Sequence, residues 1–154
     1  MYRYIFFVTP TFRLAEERDL GAACDFLAAR HPDGVRDWPA AALQDYVGYY
    51  VRGKLCALAL AGGCIVGLAM GRPVARIEDG VDDRWKLDWA GPILWVECVA
   101  ALTPISALLR FSVSVLAGYG CRLDRIAWNR GPYNYRPIVA PLSRLAPRLE
   151  VMCA

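Results

Sequence analysis

Apolar and polar residues alternate along this chain in a pattern that predicts a mixed α/β fold, and the clearest part lies in the middle. Residues 93–102 are nearly all apolar, with Glu97 as the single acid. A run of this kind is typical of a strand that is covered on both faces. Residues 105–116 then carry apolar side chains at helical spacing. The pattern therefore predicts a buried strand that leads directly into an amphipathic helix.

The junction between this strand and this helix is the first candidate functional region. Thr103 is predicted to cap the helix, and Pro104 to occupy its first position. Gly118 and Gly120 are predicted to end it. A helix that begins directly after a buried strand can bind an anion there, because its first N–H groups point at the ligand.

A second informative stretch is residues 55–71, which contain no charged side chain. Its length approaches that of a membrane span. Two adjacent glycines at its centre, Gly62 and Gly63, instead favour a two-residue hairpin turn, since both turn positions need positive φ. The turn predicts that Leu58 lies opposite Gly67 and Cys56 opposite Ala69.

The remaining segments predict further elements of both kinds. Residues 2–8, 12–15 and 122–128 have the composition or alternation of strands, whereas residues 16–30 and 37–53 have the periodicity of helices. Residues 73–89 are predicted to form a solvated connecting loop, in which Trp85 and Trp89 cover a sheet edge or belong to an interface. Prolines divide the tail, so we expect only short helical turns within 138–145 and a last strand over 149–153.

Composition narrows the function classes. A chain of 154 residues predicts one domain, 1–154, and a net charge of +3 gives little electrostatic attraction for nucleic acid. Six cysteines without metal-binding spacing and a single histidine, His31, predict no metal site. The predicted hairpin register also separates Cys56 from Cys64, which argues against a disulfide between them. We therefore expect reduced thiols, a cytoplasmic location and no membrane partner.

The order of predicted elements resembles that of the GCN5-related N-acetyltransferase (GNAT) superfamily over most of the chain. FRLAEERDLGAACDFLA is similar to the family's opening, CALALAGGCIVGLAMG to its second and third strands, ILWVECVAAL to its fourth strand, and CRLDRIAWNR to its fifth. The resemblance implies a mixed, mostly antiparallel central sheet flanked by helices. It also implies acyl transfer from acetyl-coenzyme A to an amine.

The chain departs from the family at the turn that holds the coenzyme A diphosphate. The family has Gln/Arg-x-x-Gly-x-Gly/Ala there, whereas this chain has ALTPIS over residues 101–106. No glycine is present to take positive φ, and Pro104 removes an N–H donor. The sequence therefore argues against tight acetyl-coenzyme A binding. The resemblance implies the following cofactor-contacting positions: Val99, Ala101, Ile105, Ser106 and Arg110.

The resemblance also implies catalytic positions. Family members use a strand carboxylate or a water chain as the base and a tyrosine beyond the fifth strand as the acid, which here correspond to Glu97 and Tyr135. The alternative for Glu97 is a structural ion pair with an arginine such as Arg13 or Arg130. Both interpretations of Glu97 stay open at the level of the sequence.

Three functions follow from these observations. The first is a GNAT-fold binding or assembly component without catalysis, with a protein partner or a second copy of the chain; a phage virion component is one example. The second is an acyl-coenzyme A-dependent N-acyltransferase. The third is nucleic-acid contact by basic and aromatic residues near the C-terminus: Arg122, Arg125, Arg130, Arg136, Arg144, Arg148, Tyr133 and Tyr135.

Overall fold

The computed structural model describes residues 9–30, 35, 37–83, 85–129 and 136–145. Their elements, in chain order, are β1 (Thr11–Leu14), α1 (Leu20–Arg30), α2 (Ala40–Arg52), β2 (Cys56–Ala61), β3 (Cys64–Val74), α3 (Ile77–Asp82), β4 (Ile93–Ala101), α4 (Ile105–Gly118), β5 (Arg125–Asn129) and β6 (Pro137–Pro141). The strands form one sheet in the order β1-β2-β3-β4-β5-β6. Neighbouring strands are antiparallel, except that β4 and β5 are parallel. The predicted mixed, mostly antiparallel sheet with flanking helices is confirmed, while the strands predicted over 2–8 and 149–153 lie outside the described residues.

Helices cover both faces of this sheet, because alternate residues of each strand point to opposite sides. Leu58 and Met70 belong to a core cluster shared with α1 and α2. The intervening small residues of β2 and β3 pack instead against Leu108 of α4. There is little space for larger residues on this face, since a Cβ at Gly67 would lie only 3.3 Å from Leu108. Small side chains on this face thus let α4 approach the sheet closely.

The uncharged stretch 55–71 is a β-hairpin, as predicted. Gly62 and Gly63 have φ of 58° and 78°, which are the positive values that the turn requires. Strands β2 and β3 form the two arms, and none of the helices in the described ranges is both long and apolar enough to cross a membrane.

The predicted register of the hairpin is correct beside the turn and wrong further along. Ala61 lies opposite Cys64, but Leu58 lies opposite Leu68 rather than Gly67, and Cys56 opposite Met70 rather than Ala69. The register shifts between Ala59 and Leu60, because β3 carries one additional residue there. Such a β-bulge displaces every later pair by one position.

The segment predicted to be a solvated loop, residues 73–89, is partly built into the core. Strand β3 continues to Val74, and the short helix α3 follows it. Asp79 of α3 is buried and accepts a hydrogen bond from Lys86 Nζ at 2.7 Å. Trp85 packs against Tyr49, with ring centroids 4.7 Å apart, so it covers part of α2.

The tail combines a strand that was not predicted with one of the short helical turns predicted within 138–145. Strand β6 pairs antiparallel with β5, and a single 3₁₀ turn, Leu142–Arg144, follows it. Pro137 and Pro141 stand at the two ends of β6. Proline lacks a backbone N–H and is tolerated at strand ends and sheet edges, which explains how a proline-rich segment joins this sheet.

Arg13 and Asp19 form a bidentate ion pair that predicts a stability change at acidic pH. The two Nη–Oδ distances are 2.6 and 2.8 Å, and the backbone N–H of Glu16 also donates to Asp19 at 2.8 Å. The Arg13 hydrogen bond is the main cause that lowers the pKa of Asp19 to about 2. A depressed carboxyl pKa stabilises the fold above the unfolded-state value of 3.8, and this contribution is lost as the pH falls through about 2.

We therefore expect Asp19→Asn to lower the free energy of unfolding at pH 7, and the difference from the parent protein to shrink between about pH 4 and pH 2. Urea denaturation of both proteins at matched pH values measures it. Asp25→Asn, on the exposed side of α1, is the control. A difference that stays constant with pH would contradict the assignment.

Candidate functional site

The parallel strands β4 and β5 pair over only part of their length, and a cleft opens where they part. Within the described residues their pairing runs from Ile93 opposite Arg125 to Val96 opposite Trp128. Beyond Val96, strand β4 continues for five residues along β3. A cavity of about 390 Å³ occupies the resulting gap. Its lining consists of Val96, Glu97, Cys98, Val99, Ile105, Leu109, Trp128 and Asn129.

Glu97 occupies a β-bulge at the mouth of this gap. Met70 lies opposite Cys98 and Gly71 opposite Val96, so Glu97 is an additional residue on β4 without a partner on β3. A bulge turns a side chain away from the regular alternation. It places the Glu97 carboxylate against Arg72, with Arg72 Nη1 donating to Glu97 Oε2 at 2.7 Å.

Arg72 is a fully buried cation that joins the cleft to the 73–89 segment. Besides Glu97, its Nη1 donates to the hydroxyl oxygen of Tyr50 at 2.9 Å. Its remaining N–H groups donate to backbone carbonyl groups of Asp79, Gly80, Asp83 and Lys86. A planar guanidinium with five donors suits such a position, because each donor points at a fixed acceptor.

Glu97 therefore serves as the counter-charge of Arg72. Its side chain is 17% exposed, and Oε2 also accepts a hydrogen bond from Trp95 Nε1 at 3.2 Å. The buried guanidinium needs this carboxylate, because an unpaired charge is costly in a core. The geometry favours the structural ion pair over the base. The partner is Arg72, not Arg13, which pairs with Asp19, while Arg130 lies outside the described residues.

Burial raises the pKa of two further groups near Glu97, the Cys98 thiol and the Tyr50 hydroxyl. Desolvation raises the pKa of Cys98, which lines the cavity, to about 12. A thiol with such a pKa is not a nucleophile at neutral pH. Burial also raises the pKa of Tyr50, and the nearby negative charge of Glu97 adds to the effect.

The junction between β4 and α4 differs from the prediction in two respects. Helix α4 begins at Ile105, and Pro104, with φ −57° and ψ 118°, is the N-cap residue rather than the first helical residue. The side chain of Thr103 does not cap the helix; its Oγ1 is buried without a hydrogen-bond partner among the described residues. Leu102 and Ile105 are 58% and 47% exposed. The junction thus presents two apolar side chains to solvent.

The structure brings some of the predicted site residues together and separates others. Glu97, Val99 and Ile105 line the cleft. Ser106 lines an adjoining cavity, Ala101 lies opposite Gly67 at the end of β4, and Arg110 donates to the carbonyl of Leu145 at 3.1 Å. Tyr135 is not among the described residues. Their roles in binding or catalysis stay predictions.

Sequence reasoning did not identify Arg72, Trp128 or Asn129 as site residues. Arg72 had one visible signal, since it is the first charge after the uncharged stretch 55–71. Trp128 and Asn129 stand at the end of β5, and only the pairing of β5 with β4 places them at the cleft. In the part of the chain that the structure describes, no three histidine, cysteine or acidic side chains are grouped so that they could hold a metal ion.

Comparison with known proteins finds likeness in structure but not in sequence. No protein-family model matches the chain, and no curated protein matches it. The aminoglycoside N-acetyltransferase AAC(6')-Iy in complex with CoA is similar with a TM-score of 0.60 and 16% identity, over 81% of this chain and 79% of that one. A polyamine N-acetyltransferase from Drosophila melanogaster has a TM-score of 0.58 and 15% identity, over 92% and 82%.

A third solved structure, the GphF GNAT-like decarboxylase in complex with isobutyryl-CoA, has a TM-score of 0.54 and 21% identity, over 94% of this chain and 72% of that one. Identities this low show a shared fold and no more. The likeness spans four-fifths or more of the present chain in all three cases.

Proposed function

We propose that this chain, which has the fold of the GNAT superfamily, is a binding component that does not transfer acetyl groups from acetyl-coenzyme A. The fold and its likeness to acetyltransferases provide the starting point. Fold alone does not assign chemistry, because function resides in the site. The proposal therefore depends on the residues at the cleft and at the junction that precedes α4.

The observation that carries the proposal is the geometry of the β4–α4 junction. A diphosphate cradle needs several backbone N–H groups that converge on one point, together with room for the ligand to approach the backbone. Pro104 at the N-cap has no N–H, and Leu102 and Ile105 are exposed beside it. Apolar side chains at this position would desolvate a diphosphate without hydrogen-bonding it.

The Arg72–Glu97 ion pair supports the same proposal. A catalytic base must be able to accept the proton of an incoming ammonium group. Glu97 lines the cleft, yet its carboxylate neutralises a guanidinium that is 0% exposed. Because the carboxylate is the counter-charge of a buried cation, it is better suited to holding Arg72 than to catalysis.

Titration of the full chain with acetyl-coenzyme A by calorimetry tests the proposal. We expect no saturable binding below about 1 mM, because the diphosphate finds too few donors. We also expect Thr103→Gly/Pro104→Gly to bind at least about tenfold more tightly than the parent, since it restores one N–H and the freedom to take positive φ. Gly118→Ala, at the other end of α4, is the matched control and should bind no better than the parent. Micromolar binding by the parent protein would overturn the proposal.

The second candidate is an acyl-coenzyme A-dependent N-acyltransferase, and the cleft itself favours it. A gap between parallel strands that leaves one edge of β4 without a partner strand among the described residues can receive an extended ligand by backbone hydrogen bonds. Solved structures with this fold contain CoA or isobutyryl-CoA. Release of free coenzyme A thiol with a panel of amines, abolished in a folded Glu97→Gln variant, would favour this candidate.

We propose that this non-catalytic component binds a protein partner or a second copy of this chain, with a virion as one setting. A monodisperse monomer that co-purifies with no other protein would count against it. Retention on single-stranded DNA that falls as salt rises would favour nucleic-acid contact instead.

A further inference from the structure

A second cavity adjoins the cleft on the side of strands β5 and β6. Its volume is about 440 Å³, within the roughly 300–1,000 Å³ typical of small-molecule sites. Leu109 and Trp128 line both cavities. The rest of the lining is mainly apolar and includes Ile126, Ala140 and Leu145. The space between α4 and β6 is therefore suited to an apolar chain.

This second cavity has a cationic side chain in its lining. Arg144 lines it, and Arg110 reaches the same region by donating to the carbonyl of Leu145 at 3.1 Å. Neither arginine has a carboxylate within 4.0 Å in the described part of the chain. Ser106 also lines the cavity and carries a hydroxyl group. An anionic group is the complement of the Arg144 guanidinium and the Ser106 hydroxyl.

We propose that the second cavity binds an amphiphile with one apolar chain and one anionic head group, such as a medium-chain fatty carboxylate. The chain lies against Leu109 and Trp128, and the head group pairs with Arg144. This inference rests on the proposed function and deepens it. It names the class of ligand for a chain with the GNAT fold whose β4–α4 junction is unsuited to a diphosphate.

Titration of the full chain with sodium laurate, below its micelle-forming concentration, tests the inference. We expect saturable binding, about tenfold weaker in Arg144→Gln, because one charge-assisted contact is lost. Octanoate, which is four methylenes shorter, should bind at least about a hundredfold more weakly than laurate, since each buried methylene strengthens binding about fourfold. Dodecanol, which has no charge, should bind more weakly than laurate to the parent protein and equally to parent and Arg144→Gln.

Two further variants separate this site from nonspecific binding. Ala140→Phe, which fills the cavity, should abolish laurate binding while circular dichroism shows an intact fold. Arg122→Gln removes an exposed arginine that lines neither cavity, so laurate should bind it as it binds the parent.

Absence of saturable laurate binding, equal binding of laurate and dodecanol, or no effect of either Arg144→Gln or Ala140→Phe would overturn the inference. A dimer that must dissociate before laurate binds would assign the cavity to a second copy and would also overturn it. The acetyl-coenzyme A titration is independent. Micromolar acetyl-coenzyme A affinity would reject the proposed function while leaving the laurate result to decide the second cavity.

Discussion

Arg72→Met is expected to lower the free energy of unfolding by about 3–5 kcal/mol, the range for breaking a buried ion pair. Methionine fills much of the same volume but cannot donate a hydrogen bond. The Glu97 carboxylate would lose its guanidinium partner at 2.7 Å, and the backbone carbonyls of Asp79, Gly80, Asp83 and Lys86 would each lose the hydrogen bond that Arg72 donates. Urea or thermal denaturation followed by circular dichroism measures the change.

Companion variants separate the charge from the volume. Glu97→Gln should also destabilise the fold, because it leaves the buried guanidinium without a carboxylate, and Arg72→Met/Glu97→Met should recover part of the loss. Arg18→Met removes an arginine whose side chain is 73% exposed, so it should change stability by less than about 0.5 kcal/mol. A loss below about 1 kcal/mol for Arg72→Met would show that Arg72 does not hold this region together.

Gly91→Ala is expected to destabilise the fold by about 3 kcal/mol, at the upper end of the usual cost of overpacking. A Cβ at this position would overlap the backbone carbonyl group of Val74, at the end of β3. Because that neighbour is backbone rather than a flexible side chain, the segment that enters β4 would have to shift. Chemical denaturation of purified Gly91→Ala measures the loss.

Gly21→Ala is the matched control for this prediction. Gly21 lies on the exposed side of α1, and nothing stands within 4 Å of a Cβ there. Alanine favours the helix over glycine by about 0.5–1 kcal/mol, so this variant should be more stable than the parent. Equal effects of the two substitutions would show that Gly91 is not held against Val74.

Arg72→Met and Gly91→Ala both perturb the connection between β3 and β4, which carries more structure than a connecting loop. Arg72 reaches the backbone of this segment from inside the sheet, and Asp79 pairs with Lys86 within it. Glu97 joins the same network from the next strand. The same contacts therefore join the mouth of the cleft to the core.

Local sequence signals were sufficient wherever short-range geometry decides the outcome. The Gly62-Gly63 turn was predictable because two residues with positive φ define a hairpin by themselves. The start of α4 was predictable to within one residue, because Pro104 cannot donate to a preceding turn. The register of the hairpin beyond Leu60 was not predictable, since one additional residue on β3 displaces every later pair.

The sequence by itself determined the mixed α/β class, the hairpin, the buried central strand and the absence of a glycine turn before α4. Each of these depends on residues that are close along the chain. Only the tertiary structure decided that Glu97 stands in a bulge, that its partner is Arg72, and that Trp128 and Asn129 meet β4 at a cleft. These contacts join residues 25 or more positions apart, and no local pattern of side chains indicates which distant strand residues a carboxylate will face.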